Sequence, residues 1–118
     1  VDVRPWTTVS ELFPRVTGHA PFRLPDSWSD AKMTMSGDIK FNYVGTTDII
    51  GGNSGSPVID RDGKIVGLVF DGNIHSISGS FWFDPALNRT IAVHPEVMLE
   101  SLGSIYKATH LLEEMGVR

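Results

Sequence analysis

Between positions 39 and 44 apolar and polar residues alternate (Ile-Lys-Phe-Asn-Tyr-Val). That is the period of a half-buried strand. Two more β-rich runs follow at 58–60 (Val-Ile-Asp) and 64–70 (Lys-Ile-Val-Gly-Leu-Val-Phe), joined by Arg61, Asp62 and Gly63. An Asp-Gly pair between such runs predicts a β-hairpin. Asp71, Gly72 and Asn73 read as a second turn, and 76–80 as a loop of small residues. Phe81, Trp82 and Phe83 form a short aromatic segment. Thr90, Ile91, Ala92 and Val93 predict a last strand.

The two ends show a different period. After Pro95, well placed as a first helical residue, Val97, Met98, Leu102, Ile105 and Tyr106 recur at helical spacing. Thr109 is expected to cap a final short helix bearing Leu111, Leu112 and Met115, ended by Gly116. At the other end residues 1–7 read as an extended lead-in. Thr8 and Glu11 have capping-box spacing, which predicts a short helix from Val9. Pro14 keeps it short and Gly18 ends it. Residues 18–38 are loop-like, with Phe22 and Trp28 as expected packing anchors. The prediction is a mainly β fold with a C-terminal α-helix. Residues 1–38 form a lead-in helix and loop, 39–93 the strands, and 94–118 the helical segment.

Composition narrows the class. A chain of 118 residues has room for one domain and a modest core. The formal charge is −4 with no basic patch, which argues against a nucleic-acid partner. No apolar run is long enough to span a membrane. There is no cysteine, hence no disulfide framework and no thiolate zinc site. The chain opens on Val1 with no secretory signal, which suggests a processed or truncated polypeptide.

The chemistry concentrates in Gly51, Gly52, Asn53, Ser54, Gly55, Ser56 and Pro57, between two apolar runs. Three glycines and a proline there rule out a helix or a plain strand. A tight loop that pushes a serine outward and leaves backbone N–H groups free suits acyl transfer. Ser54 is the candidate nucleophile, and the Gly52 and Ser54 amides are the candidate oxyanion donors. The alternative is a Gly-rich turn whose serine bonds its own backbone. The hairpin that follows would hold the loop rigid, which favours the catalytic reading.

This loop resembles that of the chymotrypsin-like serine peptidases. Over the wider pattern the chain resembles the bacterial dipeptidyl-peptidases of peptidase family S46. The likeness rests on 47–58 (Thr-Asp-Ile-Ile-Gly-Gly-Asn-Ser-Gly-Ser-Pro-Val), 67–73 (Gly-Leu-Val-Phe-Asp-Gly-Asn) and 88–93 (Asn-Arg-Thr-Ile-Ala-Val). The Pro5-Trp6-Thr7-Thr8 and Thr17-Gly18 regions fit as well. Thr47 departs from the pattern, where Asn is expected.

The resemblance implies a much larger enzyme with a chymotrypsin-like double β-barrel, of which this would be the second barrel. It implies a helical cap domain, release of N-terminal dipeptides from peptides, and homodimers. It also implies a His-Asp-Ser order of the triad along the chain. Only His19 precedes Ser54, 35 residues earlier in a loop, so base and carboxylate are expected upstream of this chain. The chain alone is then expected to be inactive, and the enzyme to be periplasmic or on the cell surface.

Gly72, with Asp71 and Asn73, is a candidate substrate contact. In the family, the branch that prefers acidic P1 side chains carries Arg where Gly72 stands, so glycine implies a hydrophobic or broad P1 preference. Asp48 lies six residues before Ser54, where trypsin-like enzymes keep the acid that selects basic side chains. A carboxylate accepting loop amides is the preferred reading. Asn53 cannot form the ion pair that Asp makes in enzymes activated by a new amino terminus. His75, His94 and His110 have no metal-ligand spacing, so neither metal nor cofactor is predicted. Asn88, Arg89 and Thr90 match a glycosylation sequon, a cheap match. A glutamyl-endopeptidase-like enzyme, with His75 as its nearby basic group, and a non-catalytic module on a protease-like barrel are the competing functions.

Overall fold

The computed structural model describes residues 3–117. Strands are β1 (Trp6–Thr8), β2 (Lys40–Gly45), β3 (Pro57–Ile59), β4 (Ile65–Gly72) and β5 (Thr90–Val93). Helices are α1 (Asp26–Asp30), α2 (Pro95–Glu100) and α3 (Thr109–Glu114). Two compact units share the chain. The first takes residues up to Thr7 together with Phe41–Pro95, and the second takes Thr8–Lys40 with residues from Glu96 on. Among the described residues no helix is long and apolar enough to cross a membrane.

The first unit carries the sheet, in strand order β1-β2-β5-β4-β3. Its β2–β5, β5–β4 and β4–β3 pairs are antiparallel, with Asn42 opposite Val93, Leu68 opposite Val93, and Pro57 opposite Leu68. The mainly β expectation and the predicted hairpin are both met. Val69 and Ala92 are buried, and burying a valine side chain is worth about 1.5–3 kcal/mol. Gly67 is buried as well, because the Tyr43 ring lies where its side chain would be. A Cβ there would stand 2.8 Å from Tyr43 Cε1 and 2.9 Å from Cζ. The same ring meets the edge of His94, centroids 5.8 Å apart.

Two expectations for this unit change. Asp71 and Gly72 do not form a turn; they prolong β4, which pairs Asp71 with Ile91 and Gly72 with Thr90 after a bulge between Val69 and Asp71. The loop expected at 76–80 is part of a 3₁₀ stretch, Ile74–Ser80.

In the second unit Val9, Ala31, Met35, Val97 and Leu112 are buried. The expected short helix at Val9 is a 3₁₀ turn, Val9–Glu11, followed by another, Phe13–Arg15. Glu11 folds back to accept the Thr8 N–H at 2.7 Å, as a capping box requires. The region read as loop holds α1 and a 3₁₀ turn, Ala31–Met33. Pro25 stands at the N-cap of α1 and Asp26 in its first turn, where the helix dipole favours an acid. Trp28 does anchor this region, its indole N–H donating to the Tyr106 hydroxyl at 3.1 Å. Phe22 does not: its side chain is 61% exposed.

The C-terminal helical segment is present. Helix α2 begins at Pro95, and its Glu96 accepts the Lys40 N–H at 2.9 Å. A π-helical stretch, Ser101–Ile105, follows, where Ser101 Oγ donates to Met98 O and Ser104 Oγ to the Glu100 carboxylate. Back-bonding of a serine to a carbonyl of the preceding turn, as at Ser101, bends and loosens a helix. Lys107 has a left-handed backbone, φ +53°, and α3 starts one residue earlier than expected. Ala108 is its N-cap, and Thr109 is its first residue.

Candidate active site

The loop before β3 is two turns in series. The Asn53 N–H donates to Ile50 O at 3.2 Å, and the Ser56 N–H to Asn53 O at 2.9 Å. Gly52 (φ +99°) and Gly55 (φ +86°) occupy the third position of each turn, where a left-handed backbone is needed. Ser54 stands between them, at the leading corner of the second turn, and is exposed. Strand β4 straps the loop down: the Gly55 N–H donates to Val69 O at 2.7 Å and the Val69 N–H to Ser56 O at 2.9 Å.

These bonds consume the amides of Asn53, Gly55 and Ser56. Among the described residues the Gly52 and Ser54 N–H groups donate to no backbone or side-chain acceptor, and Ser54 Oγ has no hydrogen-bonded partner. Two uncommitted donors therefore flank a hydroxyl on a braced backbone. The brace includes Asn53, whose Oδ1 accepts the Ile50 N–H at 2.7 Å. That bond does the work expected of Asp48, which is exposed and accepts no loop amide among the described residues. The 46–50 segment is tied instead through Thr47, whose Oγ1 donates to Thr90 Oγ1 at 2.9 Å.

Ser54 and Gly52 border a hollow of about 260 Å³, walled by Ile49, Ile50, Val69, Phe70 and Ile77. Asp71, Gly72, Asn73 and Ser76 line it as well. Consecutive residues of a plain strand face opposite sides, so Val69 to Gly72 could not all reach one hollow. The β4 bulge makes it possible. Among the described residues none lining the hollow is cationic, and Asp71 is the one ionisable group. Its Oδ1 accepts the Gly72 N–H at 2.8 Å. Asp48 lies apart, on a neighbouring hollow with Pro57 and Ile59.

The remaining predicted residues divide in the same way. Asn73 borders the hollow but acts as a strut: its Nδ2 donates to Leu87 O at 2.7 Å, and its Oδ1 accepts the Arg89 N–H at 3.0 Å. His75 is exposed on the 3₁₀ stretch, and His19 is exposed in the other unit. Asn88 is only 4% exposed, so the sequon does not present a glycosylation site. Sequence reasoning missed Ser76 and Ile49, which are ordinary residues in ordinary runs. Among the described residues no three His, Asp or Glu side chains converge as a metal site needs.

Residues 1–117 match the family model described as Peptidase S46. The chain belongs to the peptidase S46 family. A protein of Phocaeicola vulgatus named dipeptidyl-peptidase 7 is 43% identical over 82 residues, 70% of this chain. A protein of Shewanella putrefaciens named Asp/Glu-specific dipeptidyl-peptidase is 32% identical over 79 residues, 67% of this chain. In both cases the match covers 11% of the relative, so the chain spans about a tenth of the length of the curated relatives it matches. The crystal structure of Porphyromonas endodontalis DPP11 superposes with TM-score 0.86 at 20% identity, over 100% of this chain and 19% of that one. That likeness establishes the fold, including the sheet and the C-terminal helices.

Proposed function

We propose that this chain is the nucleophile-bearing C-terminal portion of a longer serine exopeptidase that releases dipeptides from peptide N-termini, with a hydrophobic or broad P1 preference. The observation that carries the reading is the pairing of exposed Ser54 with the two uncommitted N–H groups of Gly52 and Ser54. In the reaction Ser54 Oγ attacks the scissile carbonyl, and the two amides stabilise the oxyanion that forms. The attack needs a base to take the hydroxyl proton, and no histidine among the described residues bonds Ser54 Oγ. The base and its carboxylate are assigned to the remainder of the polypeptide.

The hollow beside Ser54 is the S1 site in this reading. Its walls are apolar and it holds no cation, so an acidic P1 side chain would meet Asp71 rather than a positive partner. Mixed names among the relatives make this a point to test directly. The full-length enzyme is expected to release dipeptides with Leu at P1 in preference to those with Glu, and Ser54→Ala should lower kcat by roughly 10⁴-fold or more. Acetylating the substrate's amino group should abolish cleavage. Undiminished cleavage of the acetylated peptide would mean an endopeptidase.

A further inference from the structure

We infer that Ser76 is a specificity-setting positioning residue: it crowds any side chain at position 72 and thereby keeps the hollow beside Ser54 open and free of a cation. The inference rests on the S1 assignment above. A Cβ built on Gly72 would lie 3.0 Å from Ser76 Cβ, 3.1 Å from Ile49 Cδ1 and 3.3 Å from Ser76 Oγ. The obstacles differ in kind. Ile49 Cδ1 is the end of a flexible chain and can swing to another rotamer. Ser76 Cβ is fixed by its own backbone and moves only if the 3₁₀ stretch moves.

That stretch is held at several points. The Ser76 N–H donates to Asn73 O at 2.9 Å. The Ser76 hydroxyl hydrogen is within reach of Asn73 Oδ1 (2.9 Å) and Arg89 O (3.1 Å), and Ser76 Oγ accepts the Arg89 N–H at 3.3 Å. Further along, Gly79 packs so closely on the 49–50 backbone that a Cβ there would stand 2.9 Å from Ile49 O. The turn therefore cannot back away from Gly72 without breaking its ties to the 87–89 segment. An arginine at 72, the simplest way to give this hollow a cation, is crowded at its first carbon and needs Ser76 to give by a few tenths of an ångström. Efficient acceptance of an acidic P1 side chain is then expected to take a change at 76 as well as at 72.

Four full-length enzymes test this: unsubstituted, Gly72→Arg, Ser76→Gly and the double variant, assayed for kcat/KM on dipeptidyl substrates with Leu or Glu at P1. Gly72→Arg alone should lose at least about tenfold on Leu and gain less than about twofold on Glu. The double variant should exceed it on Glu by about tenfold, mainly through KM. A companion cycle reads packing without activity. Gly72→Ala should lower Tm in the Ser76 enzyme and lower it much less in the Ser76→Gly background, each against its own parent. Full gain of Glu cleavage by Gly72→Arg alone, or equal Tm losses in both backgrounds, would overturn the role of Ser76. An unsubstituted enzyme that releases no dipeptides would instead overturn the exopeptidase reading, and the Tm cycle would still decide Ser76.

Discussion

Asn53 Oδ1 accepts the Ile50 N–H at 2.7 Å, closing a bridge across the Gly51-Gly52 pair that leads into Ser54. The bridge fixes the peptide that carries the Gly52 donor, so its loss should act on the oxyanion rather than on substrate binding. Asn53→Ala in the full-length enzyme is expected to lower kcat by about tenfold or more with little change in KM. Asn53→Asp keeps an acceptor at the same place and should retain most of the rate. Steady-state kinetics on one dipeptidyl substrate separates the two variants.

Gly52 and Gly55 both have positive φ, and neither has a heavy atom within 4 Å of where a Cβ would be. Their glycine requirement is conformational, not steric, and a non-glycine residue in that region costs about 1–2 kcal/mol. Alanine at either site should therefore lower Tm to a similar extent. The catalytic effects should differ. Gly52→Ala disturbs a free donor, whereas the Gly55 N–H is already committed to Val69 O. Gly52→Ala is expected to lose more in kcat than Gly55→Ala at matched stability, as measured by melting curves alongside kcat.

Much of this site is legible in the chain because its signals are local. Asp62-Gly63 marks the hairpin, period-2 alternation marks β2, and the glycines around Ser54 mark a loop that must take positive φ. The parts that were not legible depend on contacts distant in sequence. Ser76 matters because the chain returns to Gly72 and Arg89. Asp71 and Gly72 read as a turn because the bulge that keeps them in β4 is set by pairing with β5. Helix α1 was hidden by surrounding prolines, although an acid in the first turn, here Asp26, is itself a helix-start signal. The C-terminal π stretch goes with a Ser101 hydroxyl bonded back to Met98 O, which periodicity does not register.

The Tyr43 ring fills the space over Gly67, with Cε1 2.8 Å from where a Cβ on that residue would stand. Gly67→Ala is therefore an overpacking change, expected to cost about 1–3 kcal/mol. Tyr43→Val, which removes the ring, should make the alanine tolerable. A double-mutant cycle on the denaturant midpoint would show that coupling. Independent, additive losses would mean that Gly67 is needed for a reason other than the ring.

The Tyr43 hydroxyl is itself buried and has no hydrogen-bond partner among the described residues. Burial raises its pKa above the ordinary value of 10.0, because the phenolate is the poorly solvated form. The folded protein thus holds this proton more tightly than the unfolded chain. The resulting stability is complete below the unfolded pKa of about 10 and is lost as pH rises through the higher folded value. Tyr43→Phe removes both the unpaired hydroxyl and the titration. It should be as stable as the parent at pH 7, or more stable by up to about 1 kcal/mol. Between pH 9 and 11 (the range around the reference value of about 10) its unfolding midpoint should fall less than the parent's. Parallel midpoint curves for the two proteins across that range would mean that Tyr43 holds its proton equally in the folded and unfolded states, against the burial argument.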